Sequence, residues 1–358
     1  LFDCPLTKGL LDLKAYGNVI RGSLLSTFFI TSIMKMLDPQ ARALLDLIEK
    51  NGIPQVWQQT PLEARQSYRE RRFFSQEDPP ADVQATALSA PGPHGPVPLR
   101  AFRPKAAPAD AALPVLVYFH GGGWVIGDLD THDVLCRQLA RESQAMVVSV
   151  DYRMAPEFEF PAAVDDCWAA TCWIAEHGQS LGMDTARLAV GGDSAGGNLA
   201  AVISLMARDH APNPKIAYQV LIYPATEMDA ATESMRVNGE GFLLSSKSML
   251  WFMKQYLGDR SGTSETKTWR ASPLLAASHA SLPPALVLTA GFDPLRDEGR
   301  MYADKLSADG TPAQYICFER QIHGFITMSR VIDEAKTAVS LCASSLRRAF
   351  DAVGPQKT

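Results

Sequence analysis

Ser194 stands in Gly192-Asp193-Ser194-Ala195-Gly196, after the apolar run Leu188-Ala189-Val190 and before Asn198-Leu199-Ala200-Ala201-Val202-Ile203. The first run reads as a buried strand and the second as a helix start. Gly-x-Ser-x-Gly between a strand and a helix makes a nucleophile elbow: a turn tight enough to require glycine at its flanks, with the serine hydroxyl lifted to the sheet tip. Upstream, the apolar run from Leu113 to Phe119 ends in His120-Gly121-Gly122-Gly123-Trp124. Glycines at a strand end offer N–H groups that no Cβ obstructs. Aimed at a developing oxyanion, such donors supply ~3–4 kcal/mol each. A phosphate loop would need Gly-x-Gly-x-x-Gly or a Lys-Ser/Thr ending, and neither is present.

An acyl-transfer serine needs a base and an acid, which in this arrangement come in the order serine, acid, histidine. The strand-like run from Ala285 to Ala290 leads into Gly291-Phe292-Asp293-Pro294-Leu295. Asp293 thus falls just past a strand end, with Pro294 expected to open the next helix. Asp297 and Glu298 fall inside that helix, where a solvated or salt-bridged role is expected. A further strand, Gln314 to Phe318, precedes Gln321-Ile322-His323-Gly324-Phe325. Of the seven histidines, only His323 comes after both Ser194 and Asp293.

With these motifs in place the chain resembles the hormone-sensitive lipase family of bacterial esterases. His-Gly-Gly-Gly-Trp, Gly-Asp-Ser-Ala-Gly, Asp-Pro-Leu and His-Gly-Phe carry the likeness. Asp151-Tyr152-Arg153-Met154-Ala155-Pro156-Glu157 and Phe160-Pro161-Ala162 extend it. The resemblance spans residues 37–350 and falls in the subgroup with Asp before the serine. It implies an α/β-hydrolase fold, a mostly parallel sheet flanked by helices, with a helical cap over the site. It also implies oxyanion donors at Gly122, Gly123 and Ala195, and no cofactor or metal.

The chain has 358 residues and a net charge of −5. That suits one large α/β domain with a small accessory element. No basic block or aromatic–basic interleaving suggests nucleic acid. The six cysteines are scattered without Cys-x-x-Cys, so free buried thiols and a cytoplasmic setting are expected. A small-molecule ester is the expected partner, without stable membrane insertion; a homodimer is compatible with the sequence.

Residues 1–35 do not look like the family and read as a leader or an upstream extension. Arg21 before an apolar stretch, Ser23 to Met34, suggests a signal peptide, but no small-x-small cleavage site comes after it and the stretch is too short to span a bilayer. Residues 36–80 hold two expected helices of the cap. The first is capped by Asp38 with Pro39 at its first position; the second opens on the capping box Thr60-Pro61-Leu62-Glu63. The catalytic core is expected over 81–227 and 271–358. It starts with strands Val83 to Ser89 and Val97 to Phe102 around a turn at Pro91 to Pro96. The second part of the cap is expected over 228–270. Its helix, Ser246 to Leu257, carries Met249, Phe252, Met253 and Tyr256 on one face.

The expected mechanism has His323 take the Ser194 proton during attack on an ester carbonyl, with Asp293 orienting the imidazole. Asp193 and His120 are expected to hold the elbow and the glycine loop. Asp151 and Arg153 either form a network under the site or a surface ion pair. Trp124 either flanks the substrate or packs in the core, and the same choice applies to Met249, Phe252 and Met253. The expected substrates are short- to medium-chain acyl esters. Two alternatives share these motifs. The fold serves as a non-catalytic receptor in plant gibberellin receptors, which lack the catalytic histidine; a lipase or amidase would use the same triad.

Overall fold

A computed structural model describes residues 36–210 and 214–354. The leader expected at 1–35 lies outside the described residues. Two helices come first, α1 (Pro39–Lys50) and α2 (Pro61–Ser75). Both begin as their sequences dictate. The Asp38 carboxylate accepts from the N–H groups of Gln40 and Ala41. Thr60 and Glu63 close a reciprocal capping box with Pro61 at the first helical position.

The core is one eight-stranded sheet in the order β1-β2-β4-β3-β5-β6-β7-β8. Its strands are β1 (Val83–Gly92), β2 (Gly95–Pro104), β3 (Leu113–Phe119), β4 (Met146–Val150), β5 (Met183–Asp193), β6 (Ile216–Ile222), β7 (Ala285–Phe292) and β8 (Ala313–Ile322). β1 and β2 form an antiparallel hairpin at the edge, β2 runs antiparallel to β4, and every later pairing is parallel. The hairpin is longer than the sequence suggests. Gly92 pairs with Gly95 in the ladder, leaving Pro93 and His94 as the whole connection. A two-residue loop is the tightest a hairpin allows, and edge strands tolerate the prolines.

All seven residues of β3 and all five of β4 are buried. Strands covered on both faces read as unbroken apolar runs, which makes them visible in the sequence. Helices α3 (Asp133–Ser143), α4 (Ala162–His177), α5 (Ala195–Asp209), α8 (Arg296–Ala308) and α9 (Glu334–Val353) alternate with the strands. They pack on the two faces, giving one apolar cluster on each side of the sheet. Between β6 and β7 lie α6 (Glu233–Asn238) and α7 (Ser246–Leu257), the second with the bounds its periodicity predicts. No described helix is long and apolar enough to cross a membrane.

Arg65 fastens α2 to the core. It donates to the Val125 carbonyl from Nε and to the Ala155 carbonyl from Nη2, each at 2.8 Å, and forks onto Glu157. The Glu157 side chain is 53% exposed, so the ion pair itself adds little, while the two carbonyls lose their partners if the guanidinium goes. Arg65→Met should therefore cost about 2 kcal/mol and Glu157→Gln under about 1 kcal/mol. Thermal melts of both variants check the order, which reverses if the ion pair dominates.

Candidate active site

Four strand ends meet at one rim of the sheet. β3 ends at Phe119 and runs into the glycine loop. β5 ends at Asp193, β7 at Phe292 and β8 at Ile322, each immediately before Ser194, Asp293 or His323. Parallel strands gather their C-terminal ends on one edge, where open α/β sheets bind ligands. The three side chains form a continuous hydrogen-bonded line. His323 Nε2 lies 2.9 Å from Ser194 Oγ, and His323 Nδ1 lies 2.7 Å from Asp293 Oδ2. The Asp293 side chain is fully buried and its Oδ1 accepts from the Leu295 N–H at 2.8 Å. That bond occupies the residues expected to open the helix, so α8 begins at Arg296 instead of Pro294. Asn238 on α6 donates to the Asp293 carbonyl at 3.2 Å and to that of Gly291 at 3.1 Å.

Ser194 has φ 56° and ψ −117°, the strained conformation of an elbow. A Cβ on Gly192 would lie 2.3 Å from the Phe119 carbonyl oxygen, and one on Gly196 only 1.9 Å from it. Both flanks therefore admit glycine alone. Gly122 and Gly123 have φ of +117° and +58°. A Cβ on Gly123 would lie 2.2 Å from the Phe252 ring. Among the described residues, the N–H groups of Gly122, Gly123 and Ala195 have no hydrogen-bond partner.

Asp193 binds the glycine loop to the elbow. Its Oδ1 accepts from the Tyr118 hydroxyl at 2.8 Å and from the Gly121 N–H at 2.9 Å, and His132 Nε2 lies 3.2 Å away. Burial pushes this carboxyl up, but His132, Tyr118 and the Gly121 N–H outweigh burial and leave it below its ordinary value. The expectation that it holds the elbow is too narrow, since its partners lie on β3, the glycine loop and the start of α3. His120 holds the same loop from below, with Nδ1 2.9 Å from the Gly121 carbonyl and its ring stacked on Tyr152 at 4.3 Å. Burial, with His132 nearby, lowers its pKa to about 4, so it is neutral near pH 7.

Two expectations fail here. Arg153 does not pair with Asp151; its backbone N–H, Nε and Nη2 all go to Asp166 on α4. Glu298 is neither solvated nor salt-bridged. It is fully buried, and Oε1 accepts from the N–H groups of Thr226 and Glu227. Asp297 does match its expectation, with an ion pair to Arg296 at 2.8 Å.

Ser194 opens into an inner chamber of about 120 Å³, walled by Gly122, Gly123, Trp124, Met249 and Phe252 among others. Met253 is absent from this wall; it is buried in the core behind it. Trp124 is both wall and core: it is 1% exposed and stacks on Tyr256 at 4.4 Å. Tyr68, Leu243, Leu244, Thr327 and Met328 also line the chamber. The sequence does not mark them as chamber walls: Tyr68 sits in an ordinary helix repeat on α2, and the others lie in turns and loops without a periodic signal. His323 and Phe252 also border an outer chamber of about 380 Å³ beneath α1 and α2. Among the described residues, no cluster of His, Cys, Asp and Glu could hold a metal ion.

The chain is similar to known proteins in sequence and fold. The profile of an α/β-hydrolase-fold family matches residues 116–327. The carboxylic ester hydrolase LipN of Mycobacterium tuberculosis is 41% identical over 87% of this chain and 82% of its own length. An ethyl acetate hydrolase of Pseudomonas putida is 34% identical, over 87% of this chain and 99% of its own. The solved structure of an ester hydrolase from the metagenome of Lake Arreo superposes with a TM-score of 0.84 at 41% identity. It covers 88% of this chain and 100% of its own, and carries a derivative of bipyridine phosphonate.

The buried carboxylates give two testable outcomes. Asp193→Asn leaves one acceptor oxygen for three donors and frees the glycine loop. It should lower kcat by about 10- to 100-fold with a smaller change in KM; a change in KM alone would refute a positioning effect. Glu298 has its pKa raised to about 8, mainly by burial, with Asp293 adding to the shift against the pull of the Thr226 and Glu227 N–H groups. Between the unfolded value near 4.5 and about 8, the folded state holds a proton the unfolded state lacks. Stability therefore falls as pH rises through that window. Glu298→Gln should remove this slope, so its melting temperature should gain on the parent's from pH 5 to pH 9. Parallel curves would rule the ionisation out.

Proposed function

The chain belongs to the hormone-sensitive lipase family of α/β-hydrolase esterases and is a carboxylic ester hydrolase, and from this we propose that Ser194, His323 and Asp293 are its catalytic triad. The observation that carries the reading is the hydrogen-bonded line from Ser194 Oγ through His323 to Asp293. In this reading His323 Nε2 takes the hydroxyl proton as Oγ attacks the ester carbonyl. Asp293 fixes the imidazole so that Nδ1–H points at the carboxylate, and stabilises the imidazolium that forms. The free N–H groups of Gly122, Gly123 and Ala195 receive the oxyanion. His323 then protonates the departing alcohol, and water activated by the same imidazole releases the acid.

The small inner chamber supports short- to medium-chain acyl esters, with Trp124, Met249 and Phe252 in contact with substrate. The presence of His323 argues against the receptor alternative. The two helices before β1 and the segment between β6 and β7 serve in this reading as the two parts of a cap. The five cysteines among the described residues are unpaired, which supports a cytoplasmic setting.

Ser194→Ala should lower turnover on p-nitrophenyl butyrate by about 10⁴-fold or more with the melting curve unchanged. Asp293→Asn should be nearly as damaging, by about 10⁴-fold, and Asp297→Asn mild, because its carboxylate faces Arg296 and Ser234. Near-normal activity in Asp293→Asn would overturn the triad.

A further inference from the structure

The outer chamber is mostly apolar, with polar side chains such as Asn51, Gln55, Gln76 and Ser248 in its wall, and its charges are of one sign. Leu44, Leu47, Ile48 and Phe74 form much of its surface, while Arg71 and Arg72 of α2 are the only Lys, Arg, Asp or Glu side chains in its wall among the described residues, with His323 at its inner end. Among the described residues no aspartate or glutamate lines it. This is a cationic cavity in a protein whose net charge is −5.

The two arginines are not equivalent. Arg72 is partly engaged: Nη1 donates to the Asp130 carbonyl at 2.9 Å and its guanidinium lies over the Phe73 ring at 4.6 Å, while its buried Nε has no partner among the described residues. Arg71 donates only Nε, to the Ser67 carbonyl at 3.2 Å, and its guanidinium sits 6.0 Å from the Tyr68 ring centre. Among the described residues its two terminal nitrogens have no hydrogen-bond partner and it forms no ion pair. Burial lowers its pKa, with the neighbouring Tyr68 hydroxyl opposing the shift. A guanidinium at an apolar wall with its terminal nitrogens free binds a carboxylate through two parallel hydrogen bonds. The chamber volume falls in the range of small-molecule sites.

We propose that Arg71 is a specificity-determining residue that receives a terminal carboxylate of the substrate, so that the enzyme prefers esters carrying a free acid at the far end of the alcohol arm. The choice of arm rests on the triad reading above. The leaving oxygen must lie against His323 to be protonated, and His323 is the triad residue that borders the outer chamber. The alcohol therefore extends beneath α1 and α2, toward Arg71. One free guanidinium edge suits one carboxylate. An ω-acetoxyalkanoate has this form. Ser194 Oγ bonds to the acetyl carbon as the C–O bond to the hydroxyalkanoate breaks, and His323 returns the proton to the released hydroxyl. Water then frees acetate.

The test compares kcat/KM for ω-acetoxyalkanoates of four to eight carbons with alkyl acetates of equal length. The parent enzyme should favour the charged substrate at the lengths that reach Arg71. In Arg71→Met the charged-to-neutral ratio at those lengths should fall about 10- to 100-fold, with Arg71→Lys in between. An unchanged ratio in Arg71→Met, or preference for the neutral ester at every length in the parent, overturns the proposal. Should Arg71→Met not fold, product inhibition of the parent decides. ω-Hydroxyalkanoates should inhibit p-nitrophenyl butyrate hydrolysis about 10-fold more strongly than the matching alkanols, and equal inhibition overturns the proposal. Normal turnover of p-nitrophenyl butyrate without charge preference removes only this inference; no turnover of any ester removes the triad reading beneath it.

Discussion

A single buried carboxylate sets the distance between the serine and the loop that faces it. Asp193 ends β5, yet the groups it satisfies belong to β3, the glycine loop and the entry to α3: the Tyr118 hydroxyl, the Gly121 N–H and His132. The first two bonds span 75 and 72 residues of sequence and close the gap between neighbouring strand ends. The glycines of both motifs are consequences of that closure. Gly121 leaves no room for a Cβ, which would sit 2.3 Å from an Asp193 carboxylate oxygen, while Gly192 and Gly196 press against the Phe119 carbonyl. An unpaired carboxylate at this depth would be strongly destabilising. The network that neutralises it therefore also fixes the backbone on which Ser194 and the glycine loop sit.

Much of this is legible in the sequence because two independent signals converge. Buried parallel strands show as apolar runs, and the few residues after each run fall on the sheet rim. Ser194, Asp293 and His323 are found by that placement together with chain order, without any knowledge of tertiary contacts. Helix starts at Asp38 and Thr60 are legible for a local reason, since a cap's donors and acceptor lie within three residues of each other.

The features that escape a sequence reading depend on partners far away along the chain. Glu298 is the neighbour of Asp297 on α8, and nothing local separates an ion-paired residue from one that turns inward to the Thr226 and Glu227 N–H groups. Arg153 has a carboxylate two positions away but binds Asp166, which offers both oxygens to its fork and one to its own backbone N–H. The α7 face shows the limit of periodicity most clearly. Met249, Phe252, Met253 and Tyr256 are all buried, as their spacing requires. Burial has two destinations, however: Met249 and Phe252 border the chamber, whereas Met253 and Tyr256 pack behind it. A repeat of three and four residues identifies the buried face without distinguishing a cavity from a core.

The two chambers divide the labour between parts of the chain with different constraints. The inner one is enclosed by strand ends, the glycine loop and Phe252, whose ring fills the space a side chain on Gly123 would need. A change there disturbs the reacting atoms themselves. The outer one is roofed by α1 and α2, which lie outside the sheet and are held partly by side chains such as Arg65 donating to loop carbonyls. On the reading proposed above, substitutions on their inner faces alter size and charge around the far end of a substrate without shifting Ser194, His323 or Asp293. Chemistry fixed on strand termini and selectivity carried on outlying helices is the arrangement through which one fold serves many substrates. The arginines of α2 are an instance: they give the outer chamber its sign, while the strand ends that position Ser194, Asp293 and His323 contribute none of that charge.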